Sequence, residues 1–185
     1  AEAFFRYFPQ RRAKIVTSCA MFYDLEDPNT FVGDVKQLLA EEGVLIIQQN
    51  SLLAMLEQNV FDNIMHEHLE YYSLRSLQAL LYRHQLEVFD VELNDINGGS
   101  FRTAIAHAGA RPIHERVLAM IKAEEELRYT RTYQAFAERV RRLKTESFGL
   151  VLVPVLLLFL IPVFFPFQPN AALQTHFNNT YFLIH

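Results

Sequence analysis

The stretch AKIVTSCAMFYDLEDPNTFVGDVKQLLAEEGVLIIQQ, residues 13–49, decides the fold of this chain. Its first part, Ala13–Leu25, is a short apolar run that ends in aromatic residues and an acid, which is typical of a buried strand opening into a loop. Its last part, Gly43–Gln49, is a second apolar run of strand length. The residues between them have helical spacing. The stretch therefore predicts a strand–helix–strand unit with parallel strands and a right-handed crossover.

The ends of the predicted crossover helix have recognisable signals. Asp27 and Asn29 are both candidates for its N-cap, because their side chains can accept hydrogen bonds from the first turn of a helix. Pro28 fits the first helical position, where its missing N–H is not needed. At the other end, Gly43 is expected to close the helix, since glycine tolerates the left-handed conformation found after many helices.

The remaining pattern extends the unit into an α/β sheet. Further elements are predicted by their periodicity: a short helix at Ser51–Asn59, an amphipathic helix at Ser73–Leu86, a strand at Leu86–Asp95, a turn and strand within Ile96–Gly109, and one long helix within Pro112–Thr145. The last two strands have the pattern of an antiparallel pair. We therefore predict the second half of a Rossmann-type sheet, with parallel strands and an antiparallel edge, followed by a long helix.

Composition excludes some classes of function. The chain has 185 residues, of which 51% are hydrophobic, and this is enough for a domain with a real core. Its net charge of −4 gives no electrostatic basis for nucleic-acid binding. The single cysteine, Cys19, excludes an internal disulfide and a cysteine-based zinc site within this chain. A cytoplasmic location is the default expectation for such a chain.

The charge distribution divides the chain in two. No Lys, Arg, Asp or Glu follows Glu146, so residues 1–146 are predicted to be the folded domain and residues 147–185 an uncharged apolar tail. Phe148–Phe167 is long enough to span a bilayer, which requires about 20 apolar residues, but three prolines interrupt it. Three interpretations remain open: a segment foreign to the domain, such as a frame-shifted end; a membrane anchor; or buried core.

The stretch FDNIMHEHLEYYSL, residues 61–74, contains the densest group of chemically active side chains. His66 and His68 would share one face of a strand and are then candidate metal ligands, but a metal site needs further ligands at a recognisable spacing. Either histidine is a candidate general base near neutral pH, with Glu67 to orient it. The third interpretation is a polar loop that only caps the next helix.

Other candidates lie near the predicted strand ends. Tyr23 ends the first strand, and ligands of open parallel sheets bind at the carboxyl ends of strands. Residues 97–100, Asn-Gly-Gly-Ser, permit a tight turn or a close backbone approach to a ligand. None of the six glycines forms a glycine-rich loop between a strand and a helix. The chain therefore carries no phosphate-binding or dinucleotide-binding fingerprint of its own.

Three motifs together resemble a known family. FYDLEDP at residues 22–28, the FDNI and HEHLEYYSL pair at 61–74, and NGGS with the following arginine at 97–102 occur in the order and spacing of the SAM-dependent sugar C-methyltransferases. Members of that family methylate a carbon of nucleotide-linked 4-keto-deoxy sugars, with S-adenosylmethionine (SAM) as methyl donor. The resemblance covers residues 4–146.

The resemblance implies roles for the candidate residues. Its catalytic candidates are His66, Glu67, His68 and Tyr72, with one histidine as base or donor, Glu67 orienting it and Tyr72 donating to the sugar or its ketone. The implied substrate contacts are Tyr23, Asn97, Gly98, Gly99 and Ser100. The implied partner is a nucleotide-linked sugar, with no nucleic acid and no metal at the site. The family's glycine-rich SAM loop would lie upstream of Ala1, so no cofactor-binding residue is assigned and the chain alone is expected to be inactive.

Overall fold

The computed structural model describes the backbone of residues 1–164 and the side chains of residues 1–147. The helices and strands follow in chain order: α1 (Glu2–Tyr7), β1 (Ala13–Cys19), α2 (Pro28–Leu38), β2 (Leu39–Asn50), α3 (Leu52–Gln58), α4 (Leu74–Tyr82), β3 (Leu86–Asn94), β4 (Ser100–His107), α5 (Glu115–Ala123) and α6 (Thr130–Phe164). Short 3₁₀ turns occupy Phe22–Asp24, Phe61–Asn63, Ile96–Gly98 and Glu124–Arg128. The sheet and its covering helices belong to one compact unit, Ala1–Val140.

The predicted strand–helix–strand unit is confirmed. β1 and β2 pair in parallel, with Ser18 opposite Ile47. The crossover helix α2 starts where the sequence predicts, because the Asp27 carboxylate accepts a hydrogen bond from the backbone N–H of Thr30 at 3.0 Å. Pro28 occupies the first helical position, where it leaves no donor unsatisfied.

The predicted end of this helix is wrong. α2 ends at Leu38, and Gly43 lies inside β2. A Cβ atom at Gly43 would lie 2.8 Å from the carbonyl oxygen of Ala13 and 2.9 Å from Cγ of Leu39. The register between β1 and β2 is also irregular between Ala13 and Ile15. Glycine is therefore required by the close approach of two strands and not by a helix terminus.

The sheet has the strand order β1-β2-β4-β3. β4 is antiparallel to both of its neighbours, so β1, β2 and β3 all run in one direction. The mixed α/β sheet is confirmed, but the antiparallel strand lies inside the sheet and not at its edge. The reason is that the β3–β4 hairpin folds back and inserts β4 beside β2. The ends of β1, β2 and β3 and the start of β4 therefore meet at one edge, which we call the carboxyl edge.

The main core lies between the sheet and helices α2 and α4. It contains fully buried leucines of α4, such as Leu77 and Leu81, and sheet residues such as Leu45 and Ile105. Burying each of these side chains stabilises the fold by about 1.5–3 kcal/mol. The amphipathic helix predicted from residue 73 is thus confirmed, and its apolar face fixes α4 on the sheet.

Every N–H group of the first turn of α4 has a partner. The Ser73 hydroxyl accepts from the Ser76 N–H at 3.0 Å in a reciprocal capping box. The carboxylate of Glu124 accepts from the N–H groups of Leu74 at 2.6 Å and Arg75 at 3.0 Å. A negative charge at this position also complements the positive end of the helix dipole. Two neighbouring segments therefore stabilise the same helix terminus.

The predicted single helix within Pro112–Thr145 is wrong. α5 ends at Ala123, a 3₁₀ turn follows, and α6 begins at Thr130. The interruption carries Glu124, whose side chain is only 1% exposed because it caps α4. The sequence pattern of a long, exposed helix cannot reveal that one of its charged residues, Glu124, is buried against another helix.

A second, smaller core joins α3 to α6. It contains Met55, Leu56 and Phe136, all buried. Beside it, Nη2 of Arg139 donates to the carbonyl of Leu56 at 2.6 Å, and its Nε donates to Oδ1 of Asn59 at 2.7 Å. The end of α3 is therefore fixed by the start of α6.

The predicted apolar tail, residues 147–185, lies almost entirely outside the residues whose side chains are described. Residues 165–185 lie outside the description altogether. Within the described residues, no helix is both long enough and apolar enough to cross a membrane.

The two glycines of the β3–β4 turn are packed tightly against the residues around α3. Gly98 has φ +74° and Gly99 has φ +115°, conformations that L side chains rarely adopt. A Cβ atom at Gly98 would lie 2.6 Å from Cγ1 of Val60, and one at Gly99 would lie 2.5 Å from Cβ of Ala54. The space beside both glycines is therefore filled by protein.

We expect Gly99→Ala to lower the free energy of unfolding by about 2–4 kcal/mol, because it adds both backbone strain and a clash with Ala54. Urea denaturation with an unchanged m-value would measure this. Gly109→Ala is the matched control, since Gly109 has φ +75° but no neighbour within 4 Å. It should cost only the strain of about 1–2 kcal/mol. Equal losses in the two variants would contradict the packing argument.

Candidate functional site

The candidate residues lie at the carboxyl edge of the sheet. The segment between α3 and α4, residues 59–73, crosses this edge, and we call it the histidine loop. Tyr23 follows β1 in the 3₁₀ turn Phe22–Asp24, and Asn97 lies in the turn between β3 and β4. The fold therefore brings segments from three separate parts of the chain to one place, as ligand sites of open α/β sheets require.

His68 has the most contacts among the predicted catalytic residues. Its ring packs against Tyr23 in an edge-on arrangement, with 4.5 Å between the centroids. Its Nδ1 lies 2.8 Å from the backbone carbonyl oxygen of Asn63. A carbonyl only accepts hydrogen bonds, so in the neutral ring Nδ1 carries the proton. Nε2 then keeps its lone pair, which is the state that a general base needs.

Asn63 connects the histidine loop to the other segments, and the sequence analysis does not select it. It is 9% exposed, and its carbonyl oxygen also accepts a hydrogen bond from the Tyr71 hydroxyl at 3.3 Å. Its side-chain Nδ2 donates to the carbonyl of Asn97 at 3.3 Å. Its position within FDNI was the available signal, but its function depends on a main-chain oxygen, which any residue type supplies.

The backbone of Tyr23 provides a further link. Its carbonyl oxygen accepts hydrogen bonds from the N–H groups of Leu69 at 3.0 Å and Glu70 at 3.1 Å. Burial, with a smaller contribution from Asp24, raises the pKa of the Tyr23 phenol above its ordinary value. The ring beside His68 is therefore neutral at physiological pH and fixed at both its main chain and its side chain.

His66 and Glu67 are not brought into this cluster. Their side chains are 92% and 72% exposed, and they approach only each other, with Nε2 and Oε1 3.9 Å apart. The expected orientation of a histidine by Glu67 is thus not present for His68, whose ring is oriented by the Asn63 carbonyl. A loop without regular periodicity gave no means of predicting which histidine faces inward.

The two adjacent tyrosines have different surroundings. Tyr72 is buried and packs against Phe22, with ring centroids 5.2 Å apart. Burial first, and then the charge of Glu70, raises the pKa of Tyr72 to about 12. The hydroxyl that joins the His68 cluster belongs to Tyr71. Tyr72 thus contributes a neutral phenol at the base of the histidine loop.

The Asn-Gly-Gly-Ser turn touches the site through one residue. Asn97 offers its carbonyl oxygen to Asn63. Gly98 and Gly99 face the residues around α3, as described above, and the Ser100 hydroxyl donates to the Ile96 carbonyl at 2.8 Å. The structure therefore uses most of this turn to fix its own shape.

The metal interpretation finds no ligand set in the described part of the chain. No group of three or more His, Cys, Asp or Glu residues there is arranged to hold a metal ion. His66 and His68 also face different surroundings, one solvent and the other Tyr23.

Comparisons with known proteins find sequence matches along most of the chain. A family model described as a methyltransferase domain matches residues 2–91, and one described as a C-methyltransferase C-terminal domain matches residues 95–153. The C-methyltransferase NovU of Streptomyces niveus is 34% identical over 142 residues, which are 75% of this chain. The chain is therefore similar to the C-methyltransferase family. It spans 34% of the length of that relative.

Solved structures overlap with only part of the chain. A possible histamine N-methyltransferase from Thermotoga maritima has a TM-score of 0.43 and 14% identity, covering 54% of this chain and 58% of that one. A SAM-dependent methyltransferase from Clostridium acetobutylicum has a TM-score of 0.40 and 15% identity, covering 59% and 70%. The resemblance therefore depends on the sequence matches, which agree with the predicted similarity to C-methyltransferases.

The described residues do not by themselves form a SAM site. Tyr23 lies at the carboxyl edge, where ligands of open α/β sheets bind, but the residue is only 7% exposed and its ring packs against His68. The described residues contain no glycine-rich loop between a strand and a helix, which is the usual binding element for the nucleotide end of such a cofactor. The structure therefore assigns no SAM-binding residue.

The two histidines should differ in their neutral tautomer. We expect nitrogen chemical shifts to show His68 with its proton on Nδ1, because the Asn63 carbonyl accepts from it, and His66 averaged by solvent. His66→Asn and His68→Asn assign the two signals. A proton on Nε2 of His68 in the neutral ring would contradict the proposed base geometry.

The raised pKa of Tyr72 gives a pH prediction. The folded state keeps the phenol proton up to about pH 12, whereas an unfolded tyrosine loses it near pH 10. The folded state therefore binds more protons between these values, and stability falls as pH rises through that window. Tyr72→Phe should remove this part of the decline in alkaline denaturation curves. An unchanged decline in the Tyr72→Phe variant would show that the pKa of Tyr72 is not raised in the folded state.

Proposed function

We propose that this chain forms the base-bearing part of a SAM-dependent C-methyltransferase that acts beside the ketone of a nucleotide-linked deoxysugar. The observation that carries this proposal is the hydrogen bond from Nδ1 of His68 to the Asn63 carbonyl, which leaves Nε2 free to accept a proton. The family match supports the methyl-transfer chemistry. The sugar, its nucleotide and the roles of the individual residues are parts of the proposal.

The chemistry requires a base more than it requires a nucleophile. A C–H bond beside a ketone is acidic because its electron pair delocalises onto the carbonyl oxygen as an enolate. Nε2 of His68 takes the proton, and the positive charge that forms on the ring is shared with the Asn63 carbonyl through Nδ1–H. SAM, when bound, supplies the methyl group that the carbon acquires as the methyl–sulfur bond breaks. General-base catalysis of this kind contributes roughly 10²–10⁴-fold in rate.

The tyrosines suit the donor role in this scheme. Tyr23 and Tyr72 both have pKa values raised by burial, so they remain protonated at physiological pH. A neutral phenol can donate a hydrogen bond to the ketone oxygen, and this donation strengthens as negative charge develops on the enolate. We assign Tyr72 to the ketone, and we assign Tyr23, packed against His68, to the space next to the transferred methyl group.

The remaining assignments follow the same scheme. Asn97 flanks the substrate from the β3–β4 turn, while Gly98, Gly99 and Ser100 give that turn its shape beside α3. We assign the methyltransferase function to residues 1–146 and assign no role to residues 147–185. A chain spanning one third of its relative is expected to be inactive alone. We place the protein in the cytoplasm, where its substrate class would be made.

A chimera tests the proposal. The 142 matched residues of this chain replace the corresponding segment of the Streptomyces niveus relative, and methylation of that relative's own acceptor is measured. We expect His68→Asn to lower kcat by roughly 10²–10⁴-fold. His66→Asn is the matched control and should stay within about three-fold, since an exposed side chain with one weak contact contributes little.

A second measurement separates base loss from misfolding. Exchange of the proton beside the ketone in deuterated water reports His68 directly, and binding of S-adenosylhomocysteine reports an intact cofactor site. A His68→Asn chimera that binds S-adenosylhomocysteine and also keeps its methylation activity would overturn the assignment of His68 as the base. Equal losses in His66→Asn and His68→Asn would place the base elsewhere in the loop.

A further inference from the structure

The histidine loop has little structure of its own. Between Asn59 and Ser73 it contains only one 3₁₀ turn, at Phe61–Asn63. Several of its apolar side chains are exposed: Phe61, Ile64, Met65 and Leu69. A segment with so few buried contacts depends on its neighbours for a fixed shape.

One end of the loop is fixed by Glu124. Its two carboxylate oxygens accept from the N–H groups of Leu74 and Arg75, directly after the loop ends. The ion pair of Arg75 with Glu125, at 2.6 Å, lies beside this contact. Tyr72 is only two residues from Leu74, and its carbonyl also accepts from the Leu52 N–H at 3.0 Å. The position of the end of the loop is therefore determined at several adjacent backbone groups.

The other end is fixed by Arg139. Its guanidinium bonds to the Leu56 carbonyl in the last turn of α3 and to the side chain of Asn59, where the loop begins. Asn59 has φ +57°, the left-handed conformation that turns the chain away from α3. Val60, the next residue, occupies the space beside Gly98. Arg139 thus stabilises the turn that directs the loop toward Asn97.

Both residues belong to the later matched segment, residues 95–153, whereas the loop belongs to the earlier one, residues 2–91. Each uses a charged group, and hydrogen bonds to charged groups are stronger than those between neutral ones. Each residue bonds at one end of the loop, and neither donates to or accepts from a candidate catalytic side chain.

We propose that Glu124 and Arg139 are positioning residues, which hold the two ends of the histidine loop and thereby fix His68 against Tyr23 and Asn63. This inference rests on the proposed function only in its consequence for catalysis. The positioning itself is a property of the folded chain and is measurable without any reaction. The C-terminal segment then determines the geometry of a base that it does not contain.

Nuclear magnetic resonance of the chain tests the positioning. In Glu124→Gln and in Arg139→Gln, we expect amides of Ile64, His68, Leu69 and Glu70 to exchange with solvent on the order of ten-fold faster than in the parent protein. We also expect the Nδ1–H tautomer of His68 to be lost in favour of a solvent-averaged ring. The tautomer is decisive, because a uniform loss of stability does not change the ring of the molecules that remain folded.

The controls match each variant in charge and exclude a general effect. Glu126→Gln changes a nearby exposed carboxylate that pairs with Arg131, and Arg142→Gln changes an exposed arginine of α6. In both variants, the exchange rates of the loop amides and the ratio of the two His68 tautomers should stay within about two-fold of the parent protein, since exposed ion pairs contribute little. Arg139→Lys, which keeps a charged donor, should restore part of the His68 signal.

Two results would overturn the proposal. One is an unchanged His68 tautomer in Glu124→Gln and Arg139→Gln. The other is equal acceleration of exchange in the loop and in β2 and β4, which would show a purely global role. If Glu124→Gln does not fold, Arg139→Gln decides. If Glu124→Gln or Arg139→Gln accelerates amide exchange in the loop but leaves the kcat of the chimera unchanged, the positioning proposal stands. The result would instead contradict the assignment of His68 as the base.

Discussion

The parallel pairing of β1 with β2 is the constraint on which the site depends. Parallel strands cannot be joined by a tight hairpin, so the chain must leave the sheet at the end of each strand and return to its beginning. Each departure places a loop at the carboxyl edge. The 3₁₀ turn with Tyr23 and the histidine loop are both such departures. Because β4 inserts beside β2, the β3–β4 turn opens at the same edge.

Regular elements were predictable from the sequence because burial enforces a period on them. The strands of residues 13–49 and the α4 helix carry apolar side chains at spacings that only one backbone conformation can bury. The histidine loop has no such period, so His68 could not be chosen over His66 from the pattern of residues. Asn63 was missed for a different reason: it acts through its carbonyl oxygen, which every residue has. Gly43 and Glu124 were misassigned because their partners, Ala13 and Leu74, are distant in sequence.

Orientation of a histidine by a backbone carbonyl has a consequence for its chemistry. A carboxylate partner such as Glu67 would stabilise the charged ring strongly and would hold the proton after transfer. A neutral carbonyl fixes the same tautomer with less stabilisation of the charged form. In the proposed mechanism, the Asn63 carbonyl therefore selects Nε2 of His68 as the nitrogen that acts as base. The exposed position of Glu67 agrees with this division of roles.

Charged residues from a later segment lie at both ends of the histidine loop, which has little regular structure of its own. In the proposed function the loop borders the substrate, so it cannot be ordered by a packed interior. Its order must then come from hydrogen bonds at its ends, where the neighbouring helices α3 and α4 provide unpaired backbone groups. Glu124 satisfies two N–H groups of α4, and Arg139 satisfies one carbonyl of α3. The terminal N–H groups of α4 and the terminal carbonyl of α3 need hydrogen-bond partners for stability. The residues that provide these partners also determine where His68 lies.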